Sequence, residues 1–294
     1  MQQITVHAHA KINLALDVLN RRPDGYHNVR MIMQSLSLCD TLTLRKSETP
    51  GITLTARNPH HFPDVTWDEH NLIYKAAQRF FEAYPTGGGV HITIDKQIPS
   101  AAGLAGGSSD AAATLKGLNH LFEKKLSLKE LQALGVTLGA DVPYCLLLGT
   151  ALSEGIGEVL TPLAPAPALY CTLVKPEASV STKYVYEHLD LSTAKHPNID
   201  AALSAIEQGS ISQLCNHLEN ILEPVARTLC PEVAKIDEKL KEFGALGSCM
   251  SGSGPTVFGL FSDANAAMEA AEFFLDHGYA ERSFVTKFYQ PLTC

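Results

Sequence analysis

The stretch IPSAAGLAGGSSDAAATLKGLNHLF, residues Ile98–Phe122, combines a glycine-rich segment with an apolar run of helical spacing. It follows the alternating segment VHITIDK and places Gly103, Gly106, Gly107, Ser108 and Ser109 before a run rich in alanine and leucine. In that run apolar residues recur at the spacing of one helix face, at Ala111, Ala112, Leu115, Leu118 and Phe122. We predict a strand, a glycine-rich loop and a helix over 108–122, with Ser108 as N-cap and Asp110 as a capping carboxylate.

A loop of this kind is suited to bind phosphate. The first N–H groups of a helix lack partners within the helix, and the helix dipole attracts negative charge to that end. Glycines let phosphate oxygens approach the backbone, so bulk at Gly106 is expected to weaken binding and to resist a positive φ there. A tight turn that binds nothing is the alternative, but three glycines, two hydroxyls and a carboxylate within eight positions favour phosphate.

Two common nucleotide motifs are absent from the loop. No Gly-Lys-Ser/Thr ends it, so it is not a Walker A motif. The acidic residues downstream, Glu123 and Glu130, do not end a strand as a dinucleotide fingerprint requires. A nucleoside triphosphate is therefore expected rather than NAD.

Composition excludes several classes of protein. The 294 residues are 45% hydrophobic and carry 31 acidic against 23 basic side chains, a formal net charge of −8, which argues against a nucleic-acid surface. The 7 cysteines form no C-x-x-C pair and indicate a reducing compartment. Neither a leader nor a membrane span is evident, so we expect a cytoplasmic protein whose partners are small molecules, not nucleic acid or a membrane. The sequence does not indicate the oligomeric state.

The remaining segments suggest a two-domain α+β chain. Apolar residues alternate from Ile4 to Val18 and predict a half-buried strand with Lys11 and Asn13 on its other face. A turn at 23–25, a hairpin from DTLTLRKS and GITLTARN, and a helix in NLIYKAAQRFFEAY follow.

Later segments continue the pattern of mixed helices and strands. SLKELQALGVTLG begins with a capping box, and the glycine-rich segment 139–163 predicts a loop and a short hairpin. The segment APAPA marks a change of composition, and we place the domain boundary there, giving domains 1–163 and 164–294. The second domain is expected to hold a strand, several helices over 182–243, a helix from Asp263 and a last strand.

Three motifs in order resemble those of the GHMP kinases: HAKINLALDV (9–18), IPSAAGLAGGSSDAA (98–112) and GSCMSGSGPTVFGLF (247–261). The resemblance implies an N-terminal ribosomal-S5-like α/β domain, a C-terminal ferredoxin-like α+β domain and ATP-dependent phosphorylation of a small molecule. His9 stands where many members have proline and Ala105 where many have glycine, so we expect altered loop packing at most.

Within the superfamily, RRPDGYHNV, NLIYKAA, GADVP and ALSEGIGE are most similar to members that phosphorylate a CDP-linked alcohol in isoprenoid biosynthesis. A kinase of mevalonate, homoserine or a sugar remains an alternative, as does a nucleotide-binding sensor without activity.

The resemblance assigns the catalytic pair and the ATP-binding residues. Lys11 and Asp141 would act on the transferring group, with Asp141 as base or mainly as an orienting group, because a nearby cation keeps it ionised. A solvated lysine and a turn-forming aspartate are the alternatives. Asn71 would cap its helix or reach adenine. The expected ATP-binding residues are Asn71, Pro99, Ser100, Ala101, Ala102, Gly103, Leu104, Ala105, Gly106, Gly107, Ser108 and Ser109.

The resemblance also assigns the acceptor site. Tyr26 and His27 would read the cytosine of a CDP group, and Tyr186 would stack on the base, with Tyr184 as its competitor. Core positions are the alternative for these aromatic residues. Asn13 shares the strand face of Lys11 and would bond a substrate hydroxyl, a surface asparagine being the alternative.

Mg²⁺ is expected to enter with ATP and to contact Ser108 or Ser109. His7 and His9 are two residues apart, but no third ligand accompanies them, so no protein-bound metal is expected. The third motif forms a nest beneath the phosphate loop or only a tight turn, and we assign it a supporting role.

Overall fold

The computed structural model describes residues 2–85 and 87–291. The chain divides into two compact units. Unit 1 comprises Met1–Ala10, Leu38–Ser100 and Ala105–Leu147. Unit 2 comprises Lys11–Ser37, Ala101–Leu104 and Leu148–Cys294. The boundary expected at residues 163 and 164 falls inside unit 2 and stays a prediction.

The described residues form strands and helices in mixed order. The strands are β1 (Gln3–Arg21), β2 (His27–Ser47), β3 (Ile52–Ala56), β4 (Gly89–Asp95), β5 (Thr150–Gly155), β6 (Val159–Pro162), β7 (Tyr170–Lys175), β8 (Glu219–Asn220), β9 (Gly247–Met250), β10 (Val257–Phe261) and β11 (Arg282–Lys287). The helices are α1 (Leu72–Ala83), α2 (Gly106–Leu121), α3 (Leu128–Gly135), α4 (Val142–Leu147), α5 (Thr182–Glu187), α6 (Ile199–Glu207), α7 (Ile211–Asn216), α8 (Glu223–Leu229), α9 (Glu232–Glu242) and α10 (Ala264–Asp276).

In the described part of unit 1, helices α1 to α4 accompany a sheet. The second half of β2 pairs antiparallel with β4, and β3 pairs parallel with β4 on its other side. The expected hairpin between β2 and β3 is therefore wrong, because β4 lies between the two strands. Alternation of apolar residues identified both strands but carries no information about which strand pairs with which.

The helices of unit 1 follow their capping signals. Asn71 caps α1, whose inner stripe of Ile73, Ala76, Ala77 and Phe80 is buried. The expected capping box of α3 is confirmed, since Ser127 and Glu130 bond each other's backbone N–H groups. Helix α4 was not expected, because the glycines of its segment suggested a loop. Those glycines flank α4 instead of interrupting it, and the hairpin of β5 and β6 follows as expected.

Unit 2 contains an antiparallel sheet in the order β11-β7-β10-β9. Helix α10 packs on β7, β10 and β11, and α9 packs on β9 and β10, so helices cover the sheet as in the expected ferredoxin-like α+β domain. Asp263 caps α10 by accepting from the N–H groups of Asn265 and Ala266. The first half of β2 pairs with β5, and β1 pairs parallel with β8.

Strand β1 differs from the half-buried strand that its alternation predicted. Exposed and half-buried residues alternate only near the start of the strand, and every residue from Ala8 to Val18 is buried. The face that carries Lys11 and Asn13 is therefore covered as well. Among the described residues, none of the helices combines the length and apolar character needed to cross a bilayer.

Candidate active site

The glycine loop reaches α2 through three left-handed residues. The φ angles are 47° at Ala101, 75° at Gly103 and 56° at Ala105. Helix α2 begins at Gly106, with Ala105 as its N-cap residue and no side-chain cap. Ser108 is therefore not the N-cap, and the helix starts two residues before the expected position.

This earlier start determines which amides face a ligand. The N–H of Ser109 donates to the carbonyl of Ala105 at 2.8 Å, the first bond of the helical ladder. The N–H groups of Gly106, Gly107 and Ser108 precede that bond and lie in the first turn, where no helical carbonyl is available to them. An anion is favoured at this end of a helix, so these three amides are the candidates for binding phosphate.

Gly103 and Gly106 are required for different reasons. At Gly103 the φ angle is positive, and an added Cβ would lie 2.1 Å from the carbonyl oxygen of Ser251. At Gly106 the φ angle is not positive, contrary to expectation, and an added Cβ would lie 3.1 Å from Cγ2 of Ile98. The left-handed requirement belongs to Gly103, and Gly106 provides close packing at the helix start.

The polar side chains of the loop divide into engaged and available groups. The Ser109 hydroxyl is buried and donates to the carbonyl of His9 at 2.6 Å. The Ser100 hydroxyl donates to the carboxylate of Asp64. Ser108 is half-buried, and its Oγ lies 3.8 Å from the Cβ position of Gly139. Ser108 therefore lies beside the GADVP segment within unit 1.

Asp110 is not a helix cap, as its position had suggested. Its buried carboxylate accepts from Nζ of Lys96 at 2.8 Å, and Lys96 also donates to Asp40 at 2.6 Å. Asp40 in turn accepts from the backbone N–H groups of Gln97 and Ile98. This cluster joins the two ends of the glycine loop in unit 1. No local pattern in the sequence indicates this cluster, since three separate segments supply its members.

Burial governs the charges of this cluster. Burial raises the pKa of Asp110 well above its usual value, against the attraction of Lys96. For Lys96, burial opposes the charged form, but Asp110 and Asp40 outweigh it and raise the pKa. Lys96 therefore stays an ammonium between the two carboxyl groups.

Lys11 is buried, which excludes the alternative of a solvated lysine. The residue is 4% exposed, and its Nζ donates to Oδ1 of Asn13 at 2.7 Å. Its backbone N–H donates to the carbonyl of Leu104 at 3.1 Å, which fixes β1 beside the glycine loop. Among the described residues of unit 2, no carboxylate forms an ion pair with Lys11.

Asn13 is also buried, which excludes a surface role. Its Nδ2 lies 3.1 Å from Sδ of Met31, a weak acceptor. Its Oδ1 accepts from the ammonium of Lys11, a bond that was not expected from the sequence. Its contact with a substrate hydroxyl stays a prediction.

Asp141 lies in unit 1, immediately before α4, and is half-buried. Its carbonyl accepts from the N–H of Cys145 at 3.0 Å. Within the described part of unit 1, its carboxylate forms no hydrogen bond. A turn-forming aspartate would bond nearby backbone through that carboxylate. The geometry therefore leaves the carboxylate available for chemistry.

The expected base-binding residues gather in unit 2. Tyr26 is 58% exposed after a turn in which Asp24 accepts from its N–H at 3.1 Å. The rings of His27 and Tyr186 lie 5.2 Å apart and are inclined by 37°. Burial, with a smaller effect of Arg21, lowers the pKa of His27. Tyr26 and Tyr186 are outside the core, since Tyr186 is only half-buried.

Tyr184 and Tyr186 occupy different surroundings on α5. Tyr184 stacks on His188 with ring centroids 3.6 Å apart, and it lines a cavity of about 770 Å³ in unit 2. Apart from Tyr184, the site residues assigned from the sequence do not line that cavity. Tyr186 instead lies beside His27, so the geometry favours Tyr186 over Tyr184 as the stacking residue.

Asn71 serves as a helix cap, one of its two expected roles. Its Oδ1 accepts from the N–H of Ile73 at 2.9 Å, and its Nδ2 donates to the carbonyl of Thr66 at 2.7 Å. One N–H of the amide remains for another acceptor. A contact with adenine stays a prediction.

The third motif packs on the glycine loop inside unit 2. The Ser251 hydroxyl donates to the carbonyl of Gly103 at 2.9 Å. The third motif therefore does more than form a tight turn.

In the part of the chain that is described, one exposed group has metal-ligand spacing, formed by Asp68, Glu69 and His70.

Two family models match the chain, "GHMP kinases N terminal domain" over residues 71–149 and "GHMP kinases C terminal" over residues 202–280. A 4-diphosphocytidyl-2-C-methyl-D-erythritol kinase of Lachnoclostridium phytofermentans is 51% identical, over 99% of this chain and 99% of the relative. A relative of the same name from Lachnospira eligens is 43% identical, over 99% of this chain and 100% of its own length.

Solved structures of kinases are also similar to this chain. A crystal structure of a 4-(cytidine 5'-diphospho)-2C-methyl-D-erythritol kinase matches with a TM-score of 0.82 and 34% identity, over 98% of this chain and 100% of that chain. A homoserine kinase from Cytophaga hutchinsonii has a TM-score of 0.77 at 21% identity, over 98% and 95% of the two chains, which shows a shared fold. The chain belongs to the GHMP kinase family.

Proposed function

We propose that this chain transfers the γ-phosphoryl group of ATP to a hydroxyl of 4-diphosphocytidyl-2-C-methyl-D-erythritol, giving the 2-phosphate, in isoprenoid precursor synthesis. The observation that carries the proposal is the buried ammonium of Lys11, which lies beside the glycine loop. Asn13, a neutral amide, is its hydrogen-bond partner. A buried cation without an anionic partner in its own unit is suited to an anionic ligand.

The phosphates of ATP would bind at the start of α2. The amides of Gly106, Gly107 and Ser108 donate to phosphate oxygens, and the helix dipole favours their charge. The other residues of the loop, from Pro99 to Leu104, hold the backbone that leads to these amides. Binding through amides makes affinity depend on loop shape more than on any one side chain.

Mg²⁺ would accompany ATP and neutralise charge on its phosphate oxygens. Mg²⁺ prefers oxygen ligands, and the Ser108 hydroxyl is one. This hydroxyl lies beside the GADVP segment and forms no hydrogen bond among the described residues of unit 1. The Ser109 hydroxyl fits less well, since it is buried and held at the carbonyl of His9. Ser108 is therefore the residue we assign to the metal.

Lys11 and Asp141 would act on the transferring group. The ammonium of Lys11 stabilises the negative charge that develops on the phosphoryl oxygens during transfer. Asp141 accepts the proton of the acceptor hydroxyl or orients that hydroxyl for attack. Asn13 holds Lys11 in position through the bond of 2.7 Å to its ammonium.

The acceptor would be recognised by its cytosine. Tyr26 and Tyr186 supply aromatic faces for the base, and stacking of this kind contributes about 1–3 kcal/mol per base. His27 lies against Tyr186, where a neutral imidazole offers one donor and one acceptor to the edge of the base.

The reaction would take place in the cytoplasm, consistent with six free cysteines among the described residues.

One assay tests the proposal against its alternatives. The purified protein is incubated with ATP, Mg²⁺ and one acceptor at a time, namely the CDP-linked alcohol, its UDP analogue, mevalonate, homoserine or galactose, and products are identified by mass. We expect a phosphorylated product from the CDP-linked alcohol alone. Phosphorylation of an acceptor without cytidine would assign another GHMP kinase activity. Absence of every product, with ATP bound, would indicate a sensor.

A further inference from the structure

We propose that Asn220 is a positioning residue for the proposed phosphoryl transfer, because it holds the turn of the third motif against Gly103 and against the ammonium of Lys11. The proposal rests on the proposed function for its kinetic consequences. Its structural part stands on contacts within unit 2.

Asn220 is buried and uses its whole amide group on backbone atoms. The residue is 7% exposed. Its Nδ2 donates to the carbonyls of Met250 and Gly252, both at 2.8 Å, and its Oδ1 accepts from the N–H of Leu222 at 3.0 Å. The two carbonyls flank Ser251, so one amide group fixes both sides of that residue.

The turn fixed by Asn220 contacts the glycine loop. Ser251 is fully buried, and its hydroxyl donates to the carbonyl of Gly103 at 2.9 Å. Its own carbonyl leaves no room for a side chain on Gly103, since a Cβ there would lie at 2.1 Å. A shift of the turn would therefore displace the loop at its left-handed residue.

The same turn contacts the catalytic lysine. Gly252 has a φ of 58°, and a Cβ placed on it would lie 3.2 Å from Nζ of Lys11 and 3.1 Å from the carbonyl oxygen of Gly103. The backbone of Gly252 thus forms one wall around the ammonium. The position of that wall depends on the Gly252 carbonyl, which Asn220 holds.

A second connection returns to the strand that carries the lysine. Asn220 lies in β8, which pairs in parallel with β1 at Leu16, and the N–H of Ile221 donates to the Leu16 carbonyl at 3.0 Å. Strand β1 carries Lys11, so the contacts form a closed ring from β1 to β8, to the turn and back to Lys11. Glu223 adds a brace by accepting from the N–H of Met250 at 3.0 Å.

The test compares Asn220→Asp with a matched control, Asn119→Asp. The aspartate keeps the size and the acceptor oxygen, but it replaces the two N–H donors by an oxygen that repels the carbonyls. Asn119 is also buried, at 8% exposure, and also bonds backbone through both ends of its amide, to Leu126. It lies near the end of α2 that is remote from the loop.

Two readouts separate positioning from stability. For Asn220→Asp we expect kcat to fall about 10²-fold, as displacement of a catalytic group does, with the acceptor KM within about twofold of wild type. We also expect faster amide hydrogen exchange at Lys11 and at 251–254. Both variants are expected to lower the melting temperature, because each loses hydrogen bonds of a buried amide. Asn119→Asp is expected to leave kcat and the hydrogen exchange at Lys11 and 251–254 unchanged.

The outcomes distinguish this inference from the proposed function. If wild type fails to phosphorylate the CDP-linked alcohol, the proposed function fails, and the exchange data alone decide on the turn. If Asn220→Asp leaves exchange at Lys11 and 251–254 unchanged, the turn is not held by Asn220. Equal kcat values for both variants in an active enzyme would reduce Asn220 to a structural residue and overturn the proposal.

Discussion

The ammonium of Lys11 lies 2.7 Å from Oδ1 of Asn13, and both side chains are buried on one face of β1. An amide oxygen orients an ammonium without neutralising its charge. A carboxylate in the same place would form an ion pair with the ammonium. It would then compete with a phosphate oxygen for that ammonium. The pair therefore fixes the Lys11 side chain in position and leaves it without an anionic partner among the described residues of its own unit.

Replacement of Lys11 by alanine is expected to lower kcat by at least about 10²-fold, because the charge that stabilises the transferring phosphoryl group is lost. ATP affinity should change little, since the amides at the start of α2 hold the nucleotide. Steady-state kinetics and calorimetry measure the two quantities. Lys175→Ala is the matched control, because Lys175 is a buried lysine paired with Glu281. Near-native kcat in Lys11→Ala would remove the assigned role.

Asp141→Asn should likewise lower kcat by at least about 10²-fold with little effect on ATP affinity. The amide keeps the shape of the side chain but cannot accept the proton of the acceptor hydroxyl. A steady-state assay at saturating ATP reports the change. Asp276→Asn, at an exposed position on α10, is expected to behave like wild type. A loss below tenfold would assign Asp141 an orienting role.

Gly103→Ala is expected to weaken ATP binding by at least about tenfold, because the added Cβ meets the Ser251 carbonyl and displaces the loop. Gly209→Ala is the control. Gly209 also has a positive φ, 62°, but an added Cβ there meets nothing within 4 Å. Both variants carry the cost of a left-handed alanine, about 1 kcal/mol. Calorimetric titration with ATP should show a loss in Gly103→Ala alone, and an equal affinity would place the phosphates elsewhere.

Tyr186→Ala should raise the acceptor KM about tenfold or more, since a lost stack on the base costs about 1–3 kcal/mol. The ATP KM should stay near wild type. Tyr184→Ala serves as the control on the same helix, because Tyr184 stacks on His188 and not on His27. Two-substrate kinetics and melting curves are compared for both variants. A destabilised Tyr186→Ala protein with an unchanged acceptor KM would remove Tyr186 from the site.

The lowered pKa of His27 predicts a pH dependence of the acceptor KM. Burial disfavours the imidazolium, so His27 stays neutral at pH values where an ordinary histidine takes up a proton. The acceptor KM should stay level as pH falls through the ordinary range and rise only below the lowered pKa. In the same window the unfolded chain binds more protons than the folded one, so His27 reduces stability as pH falls.

The variant His27→Ala provides the comparison for that profile. Its acceptor KM should already be high at neutral pH and should lack the rise at low pH. It should also discriminate less between the CDP-linked and UDP-linked acceptors, because the edge of the base loses its specific partner. An unchanged pH profile in His27→Ala would exclude His27 from base recognition.

The sequence predicted those parts of the structure that local signals determine. Helix α1 follows its apolar stripe, α3 its capping box and α10 its N-cap at Asp263. The loop between β4 and α2 was predicted from its glycines, but the start of α2 was placed two residues late. Ala105 adopts the left-handed conformation that usually marks glycine, so the side chain gave no sign that the helix follows it.

Features that arise from distant segments were not predictable. Burial of Lys11 depends on the turn at Gly252, which lies more than two hundred residues away along the chain. The cluster of Lys96, Asp40 and Asp110 joins three segments whose pairing is set by the sheet and α2. Alternation and helical periodicity describe one element at a time, so contacts between elements lie beyond them.

The most direct test of the central claim is ³¹P NMR of wild-type protein with ATP, Mg²⁺ and the CDP-linked alcohol. We expect the γ-phosphate signal of ATP to disappear while one ADP and one new phosphomonoester appear for each ATP consumed, with the diphosphate of the acceptor intact. Lys11→Ala and Asp141→Asn should form the phosphomonoester at least about 10²-fold more slowly. Release of inorganic phosphate in place of the phosphomonoester, or a spectrum that does not change, would contradict it.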